Sequence, residues 1–207
     1  MKEQGEKGIS AILGGAGRMR HFQKGSIVLH EGDPSTSLYI IHSGRLKAFL
    51  SDDQGREIVI SIMEPGEYFG EMAIIDNGTR SASVMAIEDA QLSVISREDF
   101  QQYLSVHPEL SHTMMLGLIR RLRNATRKIG SLALLDVYGR VAGTLLQFAR
   151  EEEGTLMIQE RLTHQEIANM VGASREMVTR IMHDLVADGY ISVDEKRRIV
   201  IHEKTGV

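Results

Sequence analysis

The sequence contains no cysteine, and it contains no apolar run long enough to cross a bilayer. The absence of cysteine excludes disulfides, thiolate zinc sites, cysteine-ligated iron–sulfur clusters and a cysteine nucleophile. A membrane-spanning helix needs roughly 18 consecutive apolar residues, so we expect no membrane partner. Residues 1–20 also lack the apolar core of a secretory signal, and we therefore expect a soluble, cytoplasmic protein.

The composition is that of an ordinary globular protein with unevenly distributed charge. The chain has 207 residues, 42% hydrophobic and 25% charged, which leaves room for one large domain or two small ones. The net charge is −4, but residues 118–128 hold five basic and no acidic side chains, whereas residues 1–117 and 136–207 are acidic overall. A nucleic-acid surface must therefore be a local patch.

Residues 21–96 alternate short β-rich runs with glycine-containing turns. Glycine recurs every seven to twelve residues, at Gly25, Gly32, Gly44, Gly55, Gly66 and Gly78. The runs between and beyond these turns are Ser26–Leu29, Leu38–Ile41, Leu46–Leu50, Ile58–Met63, Ser83–Ala86 and Leu92–Ile95. Many short strands at this spacing predict an antiparallel sandwich or barrel.

One segment, residues 67–84, interrupts this alternation and carries chemistry. A glycine followed by a helical turn at Glu71–Ile75 offers free backbone N–H groups to an anion. Arg80 adds a fork that can hold two phosphate oxygens, Ser81 adds a hydroxyl donor, and Glu71 can accept from sugar hydroxyls. The segment predicts a ribose-phosphate pocket; the alternative is an ion pair between Glu71 and Arg80 that merely closes a loop.

The residues Phe69-Gly70-Glu71, Ala73, Arg80-Ser81-Ala82 and Val84 resemble the phosphate-binding cassette of cyclic-nucleotide-binding domains. The resemblance implies that Gly70 and Glu71 hold the ribose 2′-hydroxyl and that Arg80 and Ser81 bind the cyclic phosphate. Those roles agree with the chemistry of the side chains themselves.

A long helix is predicted over residues 107–135, because His107-Pro108-Glu109 is a typical helix start. Apolar residues follow with spacings of 3, 4, 3, 4 and 3, at Met115, Leu118, Leu122, Ala125, Ile129 and Leu132. This heptad seam predicts a coiled coil and hence a homodimer, since the rest of the chain offers no second long helix. The alternative is an amphipathic helix that packs on its own barrel.

Basic residues flank this seam, at Arg120, Arg121, Arg123, Arg127 and Lys128. They form either a solvated face or a cationic wall beside a bound phosphate or guanine. The predicted ligand-binding residues are Phe69, Gly70, Glu71, Met72, Arg80, Ser81, Ala82, Arg121 and Thr126.

The C-terminal part predicts a winged helix-turn-helix. Thr163 and Glu166 form a capping box, Gly172 ends that helix, and Ser174 caps a second helix from Arg175 to about residue 187. A hairpin with a basic tip follows over residues 190–201. The second helix presents residue types that read bases or contact phosphate, namely Ser174, Arg175, Glu176, Thr179 and Arg180. Plain core packing is the alternative for the two helices.

From about residue 20 the whole chain resembles the cyclic-AMP receptor protein and fumarate-nitrate regulator family. Two motifs carry the resemblance: the cassette, and residues 172–180, which read Gly-Ala-Ser-Arg-Glu-x-Val-x-Arg. The resemblance implies a homodimer, cyclic AMP as effector, a palindromic double-stranded operator with TGTGA-like half-sites, and RNA polymerase as a partner. It implies that Arg175, Glu176 and Arg180 contact bases. The predicted DNA-binding residues are Thr163, Gln165, Ser174, Arg175, Glu176, Thr179, Arg180 and Lys196.

The sequence departs from the receptor-protein branch at Ala125-Thr126, where that branch has adjacent Thr and Ser against the adenine. The missing hydroxyl costs about 1 kcal/mol or more if the adenine amine is left unpaired. Some relatives bind cyclic di-GMP, so that ligand, another effector and ligand-independent regulation stay open. The loop at residues 151–155 is also shorter than the polymerase-contacting loop of that branch. Residues 128–137 resemble the hinge of the family, and the resemblance gives Asp136 as the cap of the helix that follows.

An enzyme is not expected, because the histidines form no HxxxH or HExxH pair and no serine lies in a nucleophile elbow. A nucleotide-sensing regulatory subunit that binds no DNA would leave residues 162–201 without a role. We therefore predict an α+β protein without metal or iron–sulfur cofactors. Its parts are a cyclic-nucleotide-binding, jelly-roll-like β-roll (1–106), a dimerisation helix (107–135) and a winged helix-turn-helix domain (136–207).

Overall fold

The computed structural model describes residues 9, 13, 15–152, 154–195 and 197–202. Lys196, one of the predicted DNA contacts, lies outside this set. The chain forms two compact units: Met1–Asp52 with Val59–Thr126, and Asp53–Ile58 with Arg127–Val207. Within the described residues, no helix is both long and apolar enough to span a bilayer.

The first unit is built on two four-stranded sheets, as the turn spacing predicts. The strands are β1 (Arg18–Phe22), β2 (Ile27–Leu29), β3 (Ser37–Ser43), β4 (Leu46–Ser51), β5 (Glu57–Met63), β6 (Tyr68–Phe69), β7 (Ser83–Ala86) and β8 (Ala90–Ser96). One sheet has the strand order β1-β8-β3-β6, and the other has the order β2-β7-β4-β5. Strand β8 pairs antiparallel with β1 and β3, and β7 pairs antiparallel with β2 and β4.

Side chains from both sheets meet in one buried core. Ile41 and Leu92 come from the first sheet, and Leu46 and Val84 come from the second. Strands β1 and β6 are absent from the sequence prediction. The first is mostly exposed and polar, and the second is only two residues long, so neither shows an apolar alternation.

Among the described residues, this unit has the helices α1 (Met72–Ile75), α2 (Arg97–Val106) and α3 (Pro108–Leu134), of which α3 continues into the second unit. Helix α2 was not predicted, although Ser96 caps it by accepting from the Asp99 amide at 3.0 Å.

Helix α3 has two different apolar faces. Leu110 and Met114 are buried in a core cluster that includes Tyr68, whose hydroxyl donates to the Met114 carbonyl at 3.3 Å. On the seam face, Leu122 and Ile129 are 68% and 67% exposed. Packing on its own barrel therefore accounts for one face of the helix and leaves Leu122 and Ile129 of the predicted seam exposed in the single chain.

The second unit contains the predicted two-helix motif, a preceding helix and a four-stranded sheet. Its elements are α4 (Val137–Phe148), β9 (Arg150–Glu152), β10 (Thr155–Ile158), α5 (His164–Val171), α6 (Arg175–Ala187), β11 (Ile191–Val193) and β12 (Ile199–Ile201), and the strand order is β11-β12-β10-β9.

Asp136 caps α4 by accepting from the Gly139 amide at 2.7 Å, as expected. Arg150–Glu152 and Thr155–Ile158 form antiparallel strands where the sequence interpretation had a loop, because the Glu-rich strand β9 has little β propensity.

Candidate ligand pocket and nucleic-acid interface

A cavity of about 140 Å³ lies between the sheet β2-β7-β4-β5, the segment around α1 and helix α3. It brings together eight of the nine predicted ligand-binding residues. The predicted residues in its lining are Phe69, Gly70, Glu71, Met72, Arg80, Ser81, Ala82 and Arg121. Thr126 is not in this lining; it is exposed on α3, and its hydroxyl donates to the Leu122 carbonyl at 3.0 Å.

Arg80 is held by backbone carbonyls rather than by a carboxylate. Its Nη1 donates to the Gly70 oxygen and its Nη2 to the Ser37 oxygen, each at 2.8 Å. Gly70 has a φ of 84°, and a Cβ at this position would lie 2.5 Å from Arg80 Nη1. Glycine is therefore required both by the left-handed backbone and by the close approach of the guanidinium.

The Arg80 side chain has unused donor capacity inside the protein. The residue is only 5% exposed, and its Nε is buried without a hydrogen-bond partner. Burial lowers the pKa of Arg80, and neighbouring groups, Glu71 among them, oppose that shift. A desolvated guanidinium with a free N–H is suited to an anion that enters the cavity.

Glu71 is paired with Arg121 and not with Arg80. Its carboxylate is 1% exposed and accepts from Arg121 Nη1 at 2.6 Å. Arg121 Nη2 also donates to the Tyr68 carbonyl, and the guanidinium lies 4.6 Å from the centre of the Tyr68 ring. The alternative in which Glu71 and Arg80 close the loop as an ion pair therefore differs from the observed geometry, which leaves Arg80 directed at backbone oxygens.

Sequence reasoning missed the apolar lining of the cavity. Leu29, Ala48, Ile60 and Val84 reach it from β2, β4, β5 and β7, and Met63 reaches it from the end of β5. These are neighbouring strands of one sheet, and only the strand order shows that their side chains share a surface. Alternation within each run was the available signal, but it does not identify which runs are neighbours.

The helix-turn-helix is assembled by the local signals expected from the sequence. Thr163 and Glu166 form a reciprocal capping box, with the Thr163 amide donating to the Glu166 carboxylate at 2.7 Å. Gly172 ends α5 with a φ of 66°, and the Ser174 hydroxyl accepts from the Met177 amide at 3.2 Å. The apolar side chains of the two helices are buried in one core, which includes Ile167, Ala168, Val171, Val178, Ile181 and Leu185.

The first turns of α6 present Arg175, Glu176 and Arg180 to solvent. A hydrogen bond from its own backbone amide, and then one involving Ser174, lower the pKa of Glu176, so its carboxylate is an acceptor at neutral pH. Thr179 differs from the expectation of an exposed position. It is half-buried, its hydroxyl donates to the Arg175 carbonyl at 2.9 Å, and it lies 2.9 Å from His164 Nδ1.

Two of the predicted DNA-binding residues, Thr163 and Gln165, are exposed at the start of α5, where Gln165 Nε2 donates to Asn169 Oδ1 at 2.7 Å. In the wing, the exposed Arg197 has a φ of 61°, whereas Arg198 is held by an ion pair with Asp194 at 2.7 Å. Of the two described arginines at this tip, Arg197 is the one that remains open to solvent.

Two cations anchor the end of α5 to neighbouring helices. Arg140 Nε donates to the Val171 carbonyl at 2.9 Å, and Lys128 Nζ donates to the Met170 carbonyl. Burial, and then the nearby Arg140, lower the pKa of Lys128. Lys128 is therefore part of the structural support of the helix-turn-helix, not of a cationic wall around a ligand. Cations at these carbonyls also stabilise the negative end of the helix dipole.

Comparisons with known proteins match both halves of the chain. A cyclic nucleotide-binding domain matches residues 19–107, and a Crp-like helix-turn-helix domain matches residues 139–206. The CRP-like cAMP-activated global transcriptional regulator of Mycobacterium tuberculosis is 37% identical over 86% of this chain and 82% of its own length. The chain belongs to the CRP/FNR family of transcription regulators. The family membership predicted from the two motifs is thus confirmed.

Other CRP/FNR proteins align over nearly the full length. The cAMP-activated global transcriptional regulator Vfr of Pseudomonas aeruginosa is 34% identical over 94% of each chain. The solved structure of the c-di-GMP responsive global regulator CLP of Xanthomonas campestris has a TM-score of 0.83, with 31% identity, 95% of this chain covered and 99% of that chain. Like its relatives, this protein is a DNA-binding transcription regulator with a cyclic nucleotide-binding domain.

Proposed function

We propose that the protein is a homodimeric regulator whose β-roll binds cyclic AMP and whose winged domains then bind a palindromic operator more tightly. The observation that carries this proposal is a cavity lined by Arg80, whose Nε is buried without a hydrogen-bond partner, and by Glu71, whose carboxylate is buried. A cation with a free donor and an acceptor carboxylate match the two polar ends of a cyclic ribose phosphate.

The residues of the cavity fit this ligand group by group. Arg80 and Ser81 would donate to the cyclic phosphate, and Glu71 would accept from the ribose 2′-hydroxyl. The cavity of about 140 Å³ is smaller than the roughly 300–1,000 Å³ of typical small-molecule sites, so side chains must move when a nucleotide enters. A ligand that binds the opened arrangement better shifts the population towards it, which is the requirement for allosteric control.

Cyclic di-GMP is the second candidate effector. Two observations favour it: the similarity to the c-di-GMP responsive regulator CLP, and Ala125, which lacks a hydroxyl for an adenine. Cyclic AMP stays first, because the pocket geometry matches one ribose phosphate and the curated relatives at 34% and 37% identity are cAMP-activated.

The exposed seam of α3 and the exposed start of α6 support the DNA-binding part of the proposal. A two-fold dimer would place its recognition helices about 34 Å apart, in successive major grooves of a palindrome with TGTGA-like half-sites. Arg175, Glu176 and Arg180 would read bases, and Thr163, Gln165 and Lys196 would contact phosphates. We place this regulator in the bacterial cytoplasm, with RNA polymerase as a further partner.

A thermal-shift panel tests the effector. At a ligand concentration of 100 Kd, binding stabilises the native state by about 2.7 kcal/mol, which raises Tm by about 5–10 °C for a chain of this size. We expect this rise with cyclic AMP. We expect none with 5′-AMP, the matched control that lacks the cyclic phosphodiester. If Tm rises with cyclic di-GMP alone, cyclic di-GMP replaces cyclic AMP as the assigned effector. If Tm rises with no cyclic nucleotide, the proposal is contradicted.

A further inference from the structure

The sulfur chemistry of this protein rests on thioethers alone, since the chain has eleven methionines and no cysteine. Four described methionines are well exposed: Met19, Met72, Met115 and Met177, with exposed fractions of 57%, 50%, 54% and 42%. Of these four, Met72 lines the ligand cavity. Met63, which also lines it, is only 5% exposed. Met72 is therefore the exposed methionine of the pocket lining, where an oxidant in solution can reach it.

Met72 contacts the hydroxyl that the proposed function assigns to the phosphate. Ser81 Oγ donates to Met72 Sδ at 3.7 Å. A thioether sulfur is a weak acceptor, so this hydrogen bond is easily exchanged for one to a phosphate oxygen. Any change that makes position 72 a strong acceptor would remove Ser81 from the ligand.

We propose that Met72 is an oxidation site through which peroxide weakens cyclic-nucleotide binding. One oxygen atom of hydrogen peroxide is transferred to Met72 Sδ; an S–O bond forms, the O–O bond breaks, the sulfur loses two electrons, and water leaves. The product is methionine sulfoxide, a polar group in place of an apolar one. This inference rests on the proposed function of the pocket.

The sulfoxide acts on the site in two ways. Its oxygen is a strong acceptor that competes with the phosphate for the Ser81 hydroxyl. The same oxygen carries the negative end of the S–O dipole into the region where Arg80 would receive an anion, so it opposes the approach of a phosphate. Both effects weaken binding, and sulfoxide reductases that act on the two epimers would reverse them.

The test compares the affinity of the full-length protein before and after peroxide. Oxidation of each methionine is quantified by peptide mass spectrometry, and the Kd for cyclic AMP is measured by calorimetry. We expect a Kd at least about tenfold higher after oxidation, because a hydrogen bond to a charged phosphate is lost. Treatment with both methionine sulfoxide reductases should restore the starting Kd.

Matched variants assign the effect to one sulfur. For Met72→Leu the ratio of Kd after and before peroxide should be close to one, whatever its starting affinity. Met19→Leu, which removes a similarly exposed methionine on β1, should keep the full loss. Met72→Gln, with an amide oxygen near the position of the sulfoxide oxygen, should bind more weakly than Met72→Leu without any peroxide.

The outcomes separate this inference from the proposed function. If untreated protein binds cyclic AMP and complete oxidation of Met72 leaves the Kd unchanged, the inference is wrong and the pocket stands. If Met19 and Met177 are oxidised while Met72 is not, the oxidation site is wrong. If untreated protein binds no cyclic nucleotide, the proposed function fails, and the effect of oxidation on binding fails with it.

Discussion

Replacement of Arg121 by methionine is expected to destabilise the β-roll, because it removes the charged partner of a buried carboxylate. Glu71 is 1% exposed and accepts from Arg121 Nη1 at 2.6 Å. Methionine keeps much of the apolar stem that lies against Tyr68, so the variant isolates the loss of charge and hydrogen bonds from the loss of contact area.

The expected magnitude follows from the different exposure of the two partners. Breaking a fully buried ion pair costs about 3–5 kcal/mol, because a charge is left uncompensated. The Arg121 side chain is 36% exposed, so water reaches this pair and solvates part of the carboxylate. We therefore expect a loss of about 2–3 kcal/mol in the free energy of unfolding, or about 5–10 °C in Tm.

A double-mutant cycle with Glu71→Gln measures the pair directly. Unfolding in urea, followed by circular dichroism, gives the free energy for the wild type, both single variants and the double variant. The double variant should be less destabilised than the sum of the singles by about 1–2 kcal/mol, since neither charge is then left alone. An Arg121→Met protein within about 0.5 kcal/mol of wild type, or strictly additive losses, would refute this reasoning.

Three further predictions concern binding and assembly. Arg80→Leu should abolish calorimetric binding of cyclic AMP, because the phosphate then enters a buried site without its cation; binding equal to wild type would contradict the pocket assignment. Leu122→Lys, at a position that is 68% exposed in the single chain, should give monomers in sedimentation at micromolar concentration, where the wild type should be a dimer. In fluorescence anisotropy titrations, Arg175→Ala should lose about 1–3 kcal/mol only at a guanine of each half-site. Arg197→Ala should weaken all sequences alike and reduce the salt slope by about one; a uniform loss from Arg175→Ala would assign that residue to phosphate contact.

Structure that depends on a few consecutive residues could be predicted from the sequence. The capping box of Thr163 and Glu166, the glycine end of α5 and the cap at Ser174 involve partners within three or four positions. Their hydrogen bonds form whenever the local backbone is helical, so the residue types alone indicate them. The cassette was identified for the same reason, since its residues lie within one short segment.

Features that depend on distant partners could not be predicted. Arg121 and Glu71 are fifty positions apart, and their pairing follows from the way α3 packs on the barrel. Lys128 lies in the same basic run as Arg121, yet it caps the end of α5. A charge run in a sequence shows only that cations are present; the fold decides which of them is consumed by a structural contact.

Thr126 lies five positions from Arg121 on the same helix and is exposed in the single chain, so its contact with the ligand stays a prediction. The half-buried position of Thr179 could not be predicted from the sequence either. Thr179 was expected to be exposed beside Arg180. It lies one helical turn after Arg175 in α6, which brings its hydroxyl to the Arg175 carbonyl and to His164. Hydroxyls four positions after a carbonyl often bond back to it in this way.

The coupling between the pocket and the DNA-binding surface is tested most directly by titration of cyclic AMP with and without a palindromic operator. Linkage requires that DNA tighten ligand binding by the same factor by which the ligand tightens DNA binding. We expect an operator-bound affinity about 5- to 150-fold higher, which corresponds to a coupling of about 1–3 kcal/mol. Equal affinities in the two titrations would show that the protein binds DNA independently of its pocket.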